Sequence, residues 1–166
     1  MEGATSDLEI VAAAEADKPL LFRLLQLYQH DSSEFDDVRC DSSGLFPYPY
    51  FDLYWQEPDR YPFLFRHRGQ VIGFALINAY SDLGNTGIRA IAEFFVLRSH
   101  QNKGIGRQAS LKLLDMFPGR WEISQTYGNL PAQRFWENLV RSLVGENFVK
   151  HDLPEVRKIV LSFTTC

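Results

Sequence analysis

The middle of the chain carries a strand, a glycine-bearing turn, a helix and a second strand, and this order restricts the fold more than any other feature. The apolar run from Ile88 to Leu97 predicts the first strand, and Trp121 to Tyr127 predicts the second. Between them, a helix that ends at Pro118-Gly119 is indicated by apolar residues at four-residue steps, namely Ile105, Ala109, Leu113 and Phe117. A strand that leads through a helix into the next strand is typical of a sheet with helices packed on it.

The remaining segments extend this unit on both sides. Leu8 to Ala13 predicts a short buried strand, and Asp17 with Pro19 marks the start of a helix that ends near His30. Further elements are a short helix from Phe51 to Gln56, antiparallel strands from Phe63 to His67 and from Val71 to Ala79, a helix from Pro131 to Leu143, and a closing strand from Glu155 to Phe163. The order β-α-α-β-β-β-α-β-α-β predicts an α/β (α+β) fold with a mixed, mostly antiparallel central sheet flanked by helices.

Composition fits one ordinary domain that covers residues 1–166. With 45% hydrophobic residues, a chain of 166 residues can bury a core without disulfides. The two cysteines and four histidines show no ligand spacing, so we expect no metal. A net charge of −4 argues against broad nucleic-acid binding through a basic face. Because neither a signal peptide nor an apolar run of roughly 18 residues is present, we expect a cytoplasmic protein without a membrane partner.

The glycine turn can be interpreted in three ways. Gly104-Ile105-Gly106-Arg107-Gln108-Ala109 satisfies the dinucleotide-binding pattern G-x-G-x-x-G/A, but six residues separate it from the strand and no acid lies at the end of the next strand. A Walker-type loop is excluded because no Gly-Lys-Ser/Thr follows a spaced glycine. In the third interpretation, Glu93 to Ser110 is one anion-binding unit, in which amides at a helix N-terminus act together with Lys103 and Arg107.

Two motifs in this region resemble those of a known family. Gln101-x-x-Gly104-x-Gly106 resembles the Q/R-x-x-G-x-G/A signature of the GNAT family of acetyl-coenzyme A-dependent N-acyltransferases. Downstream, the spacing of Asn129, Ala132 and Phe135-Trp136 resembles the second motif of that family. The specific resemblance covers about Ile88 to Leu139, roughly a third of the chain. It implies a GNAT-like acyl-CoA N-acyltransferase fold with acetyl-CoA as cosubstrate.

The resemblance also implies which residues hold the cofactor. By position, the main chain of three strand residues would contact the acetyl and pantetheine portions, the glycine turn would hold the pyrophosphate, and the second motif would complete the site. Asn129 is equally well explained as a helix N-cap. The implied cofactor-binding residues are Phe95, Val96, Leu97, Gln101, Asn102, Lys103, Gly104, Ile105, Gly106, Arg107, Gln108, Asn129, Phe135 and Trp136.

Two residues are candidates for acid and base chemistry. Glu93 is an acid within an apolar strand, where desolvation raises the pKa of a carboxyl group toward that of a useful base. The alternative is a strand acid paired with Arg89 or Arg98. The family often has a tyrosine acid where Trp136 stands, and an indole has no usable acidity. Either Tyr127 supplies the acid, or the thiolate leaves unassisted, or the protein binds acyl-CoA without turnover.

The acceptor is indicated by the segment from Asp31 to Tyr61, which holds eight acids and eight aromatic residues. This composition suits a cationic, amine-bearing acceptor, although a solvated acidic loop with core aromatics explains it equally well. The leading hypothesis is an N-acetyltransferase that acetylates a primary amine, a small cationic metabolite. The alternatives are a non-catalytic acyl-CoA-binding sensor and an enzyme that modifies proteins. The resemblance is also compatible with a homodimer.

Overall fold

The computed structural model describes residues 7–166, and the seven strands in this range form one sheet. The sheet order is β1-β2-β3-β4-β5-β7-β6, and every neighbouring pair is antiparallel except β4 and β5. This arrangement confirms the predicted mixed, mostly antiparallel sheet. The strands are β1 (Leu8–Ala12), β2 (Tyr61–His67), β3 (Gln70–Asn78), β4 (Arg89–Val96), β5 (Gly119–Thr126), β6 (Phe148–Leu153) and β7 (Lys158–Thr165).

Three helices cover the two faces of the sheet: α1 (Lys18–Ser32), α2 (Ile105–Met116) and α3 (Leu130–Val144). The apolar side of α1 packs with Phe74 and Leu76 in one buried cluster, together with the 3₁₀ turn Asp52–Trp55. Helices α2 and α3 contribute to a second cluster around Trp121 and Phe65 on the opposite face. Burial of an apolar stripe on each helix therefore determines which face it covers.

Most elements lie within two residues of their predicted bounds, but the C-terminal region differs. Sequence patterns miss β6 and predict β7 three residues too early. Strand β6 is the edge strand beside β7 and carries Lys150, His151 and Asp152, so it lacks the continuous apolar run of a central strand. Polar and charged residues are typical of edge strands, where they oppose pairing with other chains.

The central feature of the sheet is a split between β4 and β5. These parallel strands pair only at Arg89 with Trp121 and at Ala90 with Glu122, and they diverge beyond this point. Strand β4 also contains a bulge, because Leu76 of β3 pairs with Glu93 and Ile77 pairs with Ile91. A wedge-shaped cleft therefore opens between the C-terminal halves of β4 and β5.

Strand β3 approaches β4 closely on the other side of the split. A Cβ atom on Gly73 would lie 2.1 Å from the carbonyl oxygen of Phe95, so only glycine fits there. Within residues 7–166, no helix is long and apolar enough to cross a bilayer.

Candidate active site

Two connected cavities occupy the cleft. The first, termed the outer groove, has a volume of about 890 Å³ and runs from the end of β4 past the start of α2 to α3. The second, termed the inner cavity, has a volume of about 450 Å³ and lies under α1 and the loop that follows it. Six residues line both cavities and mark the place where they meet: Tyr28, Ser32, Phe94, Asn129, Ala132 and Trp136.

The glycine turn forms one end of the outer groove. Asn102 and Gly104 have φ values of 59° and 78°, and these left-handed conformations turn the chain directly into α2. The amide Nε2 of Gln101 donates to the carbonyl of Val96 at 2.7 Å, which ties the turn to the end of β4. The first amides of a helix carry no intrahelical partner, so this end of the groove suits an anion.

Within residues 7–166, no carboxylate pairs with either of two cations near the turn. Lys103 donates to the carbonyl oxygen of Ser99 at 2.8 Å, and Arg107, which lines the groove, donates to the hydroxyl of Ser142 at 2.9 Å. Because both acceptors are uncharged, the two positive charges remain available to an anionic ligand. Arg98 differs, since its guanidinium forms an ion pair with Asp31 at 2.7 Å.

The main-chain N–H groups of β4 that face the cleft are not all at the positions that the sequence predicts. The N–H of Leu97 donates to the carbonyl of Ile72 at 2.8 Å, so it faces β3 and is not available to a ligand. Strand alternation then directs the N–H groups of Phe94 and Val96 toward the cleft and that of Phe95 away from it. Sequence reasoning therefore missed Phe94, although Phe95 and Val96 both line the groove.

Aromatic side chains form the wall of the outer groove on the α3 side. The ring of Phe94 stacks on Phe135 with centroids 6.2 Å apart and meets Trp136 edge-on at 5.2 Å. Asn129 lines the groove, but its Oδ1 accepts from the N–H of Ala132 at 3.1 Å, as an N-cap does. Four predicted cofactor residues do not line the groove: Leu97, Lys103, Ile105 and Gln108, of which Ile105 is a core residue.

Glu93 lies in the inner cavity beside the junction. The bulge in β4 brings its side chain to the α1 face, where Tyr48 donates to it at 3.1 Å and the phenol of Tyr28 lies nearby. Burial raises the pKa of Glu93 to about 7, against the opposing effects of the tyrosine hydrogen bonds and of Lys158. The alternative pairing is wrong, because Arg98 pairs with Asp31 and Arg89 stacks over Phe117.

Tyr127, the predicted acid, is not among the residues that line either cavity. Its hydroxyl donates to the carboxylate of Asp152 on β6, and the guanidinium of Arg157 lies 5.6 Å from its ring centroid. Carboxylate contact raises the pKa of this phenol. The structure therefore does not bring Tyr127 to the cleft, because this residue follows the end of β5 and its hydroxyl is held by Asp152 on β6.

Both interpretations of the acidic, aromatic segment hold in part. Three of its eight acids are engaged locally: Asp37 pairs with Arg39, Glu57 pairs with Arg60, and Asp41 accepts from the amides of a tight turn. Phe51, Tyr54 and Trp55 pack in the core or against it. Asp36 and Tyr50, in contrast, line the inner cavity, and Asp36 has no cationic partner within the described range.

The loop after α1 lines both cavities. Glu34 and Phe35 line the outer groove, whereas Asp36 and Val38 line the inner cavity. The carbonyl of Phe35 lies so near Gly128 that a Cβ there would be 2.4 Å away. This loop therefore crosses from α1 to the turn after β5 and covers the cleft.

Several residues of the inner cavity carry no sequence signal. Asp82 lies between Lys158 at 3.0 Å and the hydroxyl of Ser124 at 2.6 Å. Gln125 is 5% exposed, and its Oε1 has no hydrogen-bond partner while its Nε2 donates to the carbonyl of Ile123. Such a buried acceptor suits a ligand donor. These residues and Tyr28 lie far apart in the sequence, and only the folded chain brings them together. The sequence around each of them predicts no more than a strand, a helix or a turn.

No group of three or more His, Cys, Asp or Glu side chains within residues 7–166 is placed to hold a metal ion.

Comparisons with known proteins identify the fold and the motif region. The sequence matches the family model described as "Acetyltransferase (GNAT) family" over residues 24–139. No curated protein gives a significant sequence match. A crystal structure of an acetyltransferase from Thermus thermophilus is similar, with a TM-score of 0.71 at 17% identity over 95% of this chain and 96% of that chain.

Two other solved structures share the fold and differ in acceptor. Aminoglycoside acetyltransferase AAC(6')-Ib, in complex with coenzyme A and kanamycin, gives a TM-score of 0.65 at 19% identity over 95% of this chain and 94% of that chain. A ribosomal-protein alanine N-acetyltransferase from Escherichia coli gives 0.60 at 14% identity, with 95% and 94% covered. One acceptor is a small molecule and the other a protein, so this fold does not by itself select the acceptor.

Proposed function

The chain belongs to the GNAT family of acetyltransferases, and we propose that it transfers the acetyl group of acetyl-CoA to the primary amine of a small cationic metabolite. The observation that carries the proposal is that Glu93 lines the inner cavity beside the place where the two cavities meet. A thioester lying in the outer groove and an amine lying in the inner cavity would meet there, which is the arrangement that direct attack requires.

Acetyl-CoA would bind along the outer groove. Its pyrophosphate suits the amides of the glycine turn together with Arg107 and Lys103, which carry uncompensated charge. The pantetheine arm suits the main-chain N–H groups of Phe94 and Val96 that face the cleft, and the aromatic wall would pack against its apolar portion. Gln101, Asn102, Gly104 and Gly106 line the same groove and are part of the proposed site.

Glu93 would act as the general base. An amine is a nucleophile only when neutral, and a carboxylate with a pKa of about 7 can accept a proton from it near neutral pH. The carboxyl group is within the inner cavity and has no cationic partner at hydrogen-bond distance, so its proton affinity is not suppressed by an ion pair.

The acceptor would be small and positively charged. The inner cavity contains Glu93, Asp36 and Asp82 against one cation, Lys158, so its balance is negative. Tyr50 and Tyr80 contribute aromatic surface of the kind that binds ammonium groups. The loop over the cleft favours a small acceptor over a folded protein surface. The cytoplasmic location and the homodimer stay predictions.

The test combines acetyl-CoA binding with amine-dependent thiol release. Calorimetric titration with acetyl-CoA comes first, followed by thiol assays with spermidine, kanamycin and an alanine-terminated peptide in the same samples. Binding followed by thiol release with a small polyamine or aminoglycoside supports the proposal. Binding without turnover of any amine supports the sensor alternative, and absence of binding contradicts the cofactor assignment.

A further inference from the structure

Two buried side-chain oxygens on β5 lack a hydrogen-bond partner, and both residues line the inner cavity. Within residues 7–166, the buried side-chain atoms without a partner are Oε1 of Gln125 and Oγ1 of Thr126. Buried polar atoms are almost always hydrogen-bonded, so each exception requires an explanation. Because these two are adjacent in the sequence and their residues line one cavity, a ligand in that cavity explains both.

The amide of Gln125 is oriented by the protein, and this orientation leaves its oxygen for a ligand. Gln125 is 5% exposed, and its Nε2 donates to the carbonyl oxygen of Ile123 at 3.0 Å. Turning the amide over would place Oε1 against that carbonyl, and two acceptors cannot form a hydrogen bond with each other. Oε1 is therefore an acceptor that needs an O–H or N–H donor.

Gln125 lies across the split from Glu93. The last paired residues of the two parallel strands are Ala90 on β4 and Glu122 on β5. Glu93 and Gln125 each follow three residues later, where the strands have diverged, and both line the inner cavity. Paired strands are about 4.8 Å apart, and diverging strands are somewhat farther apart. A molecule that presents its amine to Glu93 therefore needs only a short carbon chain to reach β5.

The β4 side of the inner cavity carries the negative charge. Glu93 and Asp36 both line the cavity, and the charge of each raises the pKa of Tyr28, so the two carboxylates lie near the same phenol. Neither carboxylate forms an ion pair within the described part of the chain. An ammonium group is therefore best stabilised on this side of the cavity.

The β5 side of the inner cavity is close to neutral. Lys158 lies opposite Thr126 in the β5–β7 register and contacts both carboxylate oxygens of Asp82, at 3.0 Å and 3.2 Å. The hydroxyl of Ser124 donates to the same carboxylate at 2.6 Å. A second ammonium group beside Gln125 would lie near the Lys158 ammonium, and the carboxylate of Asp82 is already paired. An uncharged hydroxyl group avoids this repulsion and can still donate to Oε1.

We propose that the acceptor is an amino alcohol, whose hydroxyl donates a hydrogen bond to Oε1 of Gln125 while its amine lies beside Glu93. This inference names the acceptor class of the proposed acetyl transfer, on which it rests. Gln125 then determines specificity and takes no part in the chemical step. An amine without a hydroxyl leaves Oε1 buried and unpaired, and this cost makes a site built for a hydroxyl reject analogues that lack one.

The experiment measures selectivity among amines that differ in one terminal group. The probes are linear amino alcohols with two to six carbon atoms, the alkylamines in which a methyl group replaces the hydroxyl, and the diamines in which an amino group replaces it. Thiol release at saturating acetyl-CoA gives kcat/KM for each probe. In the wild type, the best amino alcohol should exceed the matching alkylamine by about 100-fold.

Gln125→Met should remove this selectivity, because methionine has a similar volume and no carbonyl oxygen. The ratio should fall to less than about fivefold, since neither amine then leaves an unpaired acceptor, and the Kd for acetyl-CoA should stay unchanged. Gln125→Leu serves as a second apolar replacement if the methionine variant does not fold.

Gln133→Met is the matched control. The amide of Gln133 donates to the carbonyls of Thr126 and Tyr127, at 2.8 Å and 3.2 Å, and this residue does not line either cavity. The substitution removes a glutamine amide from the same region and leaves the proposed hydroxyl site in place. The ratio of amino alcohol to alkylamine should therefore keep its wild-type value, even where the rates themselves fall.

Four results would overturn the inference. If the wild type accepts amino alcohols and alkylamines equally, a water molecule satisfies Gln125. If the diamines exceed the amino alcohols, the group beside Gln125 is an ammonium. If Gln125→Met keeps the wild-type ratio, the hydroxyl is bound elsewhere. Thiol release with spermidine or the alanine-terminated peptide, but with no amine that carries a hydroxyl, also overturns it and leaves the proposed function standing. The proposed function itself fails when the wild type releases no thiol with any amine.

Discussion

The outer groove and the inner cavity differ in how their residues are arranged along the chain. The longest contiguous part of the groove lining is one stretch of sequence, Phe94 to Arg107, which comprises the end of β4 and the glycine turn. The inner cavity takes its lining from α1, the loop after it, β3, β4, β5 and β7. Residues that are neighbours in the sequence therefore form a large part of the outer groove. The inner cavity, in contrast, forms only when the whole sheet has folded and β4 and β5 have diverged.

This difference predicts which kind of substitution affects each cavity. A change in the groove should weaken cofactor binding and leave the chemical step intact at saturation. A change in the inner cavity should lower the rate or weaken the acceptor, with little effect on acetyl-CoA. Four substitutions test this division, from the largest expected effect to the smallest.

Glu93→Gln should lower kcat by about 100- to 1,000-fold, because an amide cannot accept the amine proton. The Kd for acetyl-CoA, measured by calorimetry, should stay within about twofold of the wild type, since the carboxylate faces the inner cavity. Glu155→Gln, on an exposed turn, is the control. A substantial loss of acetyl-CoA affinity in Glu93→Gln would contradict the division between the cavities.

Gly104→Ala should weaken acetyl-CoA binding by roughly tenfold, because a left-handed residue with a Cβ costs at least about 1 kcal/mol and the turn relaxes away from its anion-binding form. The rate at saturation should be preserved. Gly84→Ala is the matched control, since Gly84 has nearly the same left-handed φ, 77°, but lies in an exposed loop outside the groove, so its substitution should leave acetyl-CoA binding unchanged. A similar loss of acetyl-CoA affinity in both variants would show that overall destabilisation, and not the glycine turn, is the cause.

Asp36→Asn should raise KM for a cationic amine by about fivefold, because one carboxylate that faces the cavity loses its charge. The effect should diminish with added salt. Asp37→Asn, whose carboxylate pairs with Arg39 at the surface, should leave KM unchanged. A neutral amine should respond little to either change, and a similar loss with both kinds of amine would indicate a structural effect instead.

Tyr127→Phe should change kcat by less than about twofold, because the hydroxyl contacts Asp152 on β6 rather than the cleft. Thiol release under saturating acetyl-CoA measures this directly. A loss comparable to that of Glu93→Gln would show that Tyr127 reaches the reacting atoms after all.

The two cavities also explain what the sequence could and could not predict. The motif from Gln101 to Gly106 is contiguous, so its position at the start of α2 followed from periodicity and glycine spacing alone. The mixed, mostly antiparallel sheet with helices on its faces agrees with the prediction. Glu93 was found because an acid stands out in an apolar strand.

Other parts of the site depend on irregularities that have no composition signature. The bulge at Ala92 sets the face on which Glu93 lies, and no residue type marks it. No residue type indicates either that the main-chain N–H of Phe94 faces the cleft. Tyr28 follows the apolar spacing of α1, which predicts a packing residue, although the structure places it where the two cavities meet.

The central claim is that a raised-pKa carboxyl group acts where the two cavities meet. Its most direct test is the pH dependence of kcat for amine-dependent thiol release at saturating acetyl-CoA, in the wild type and in Glu93→Gln. The base must be deprotonated, so the wild-type rate should rise with pH through an inflection near the Glu93 pKa of about 7, and this inflection should be absent from the variant. An unchanged inflection in Glu93→Gln would contradict the account.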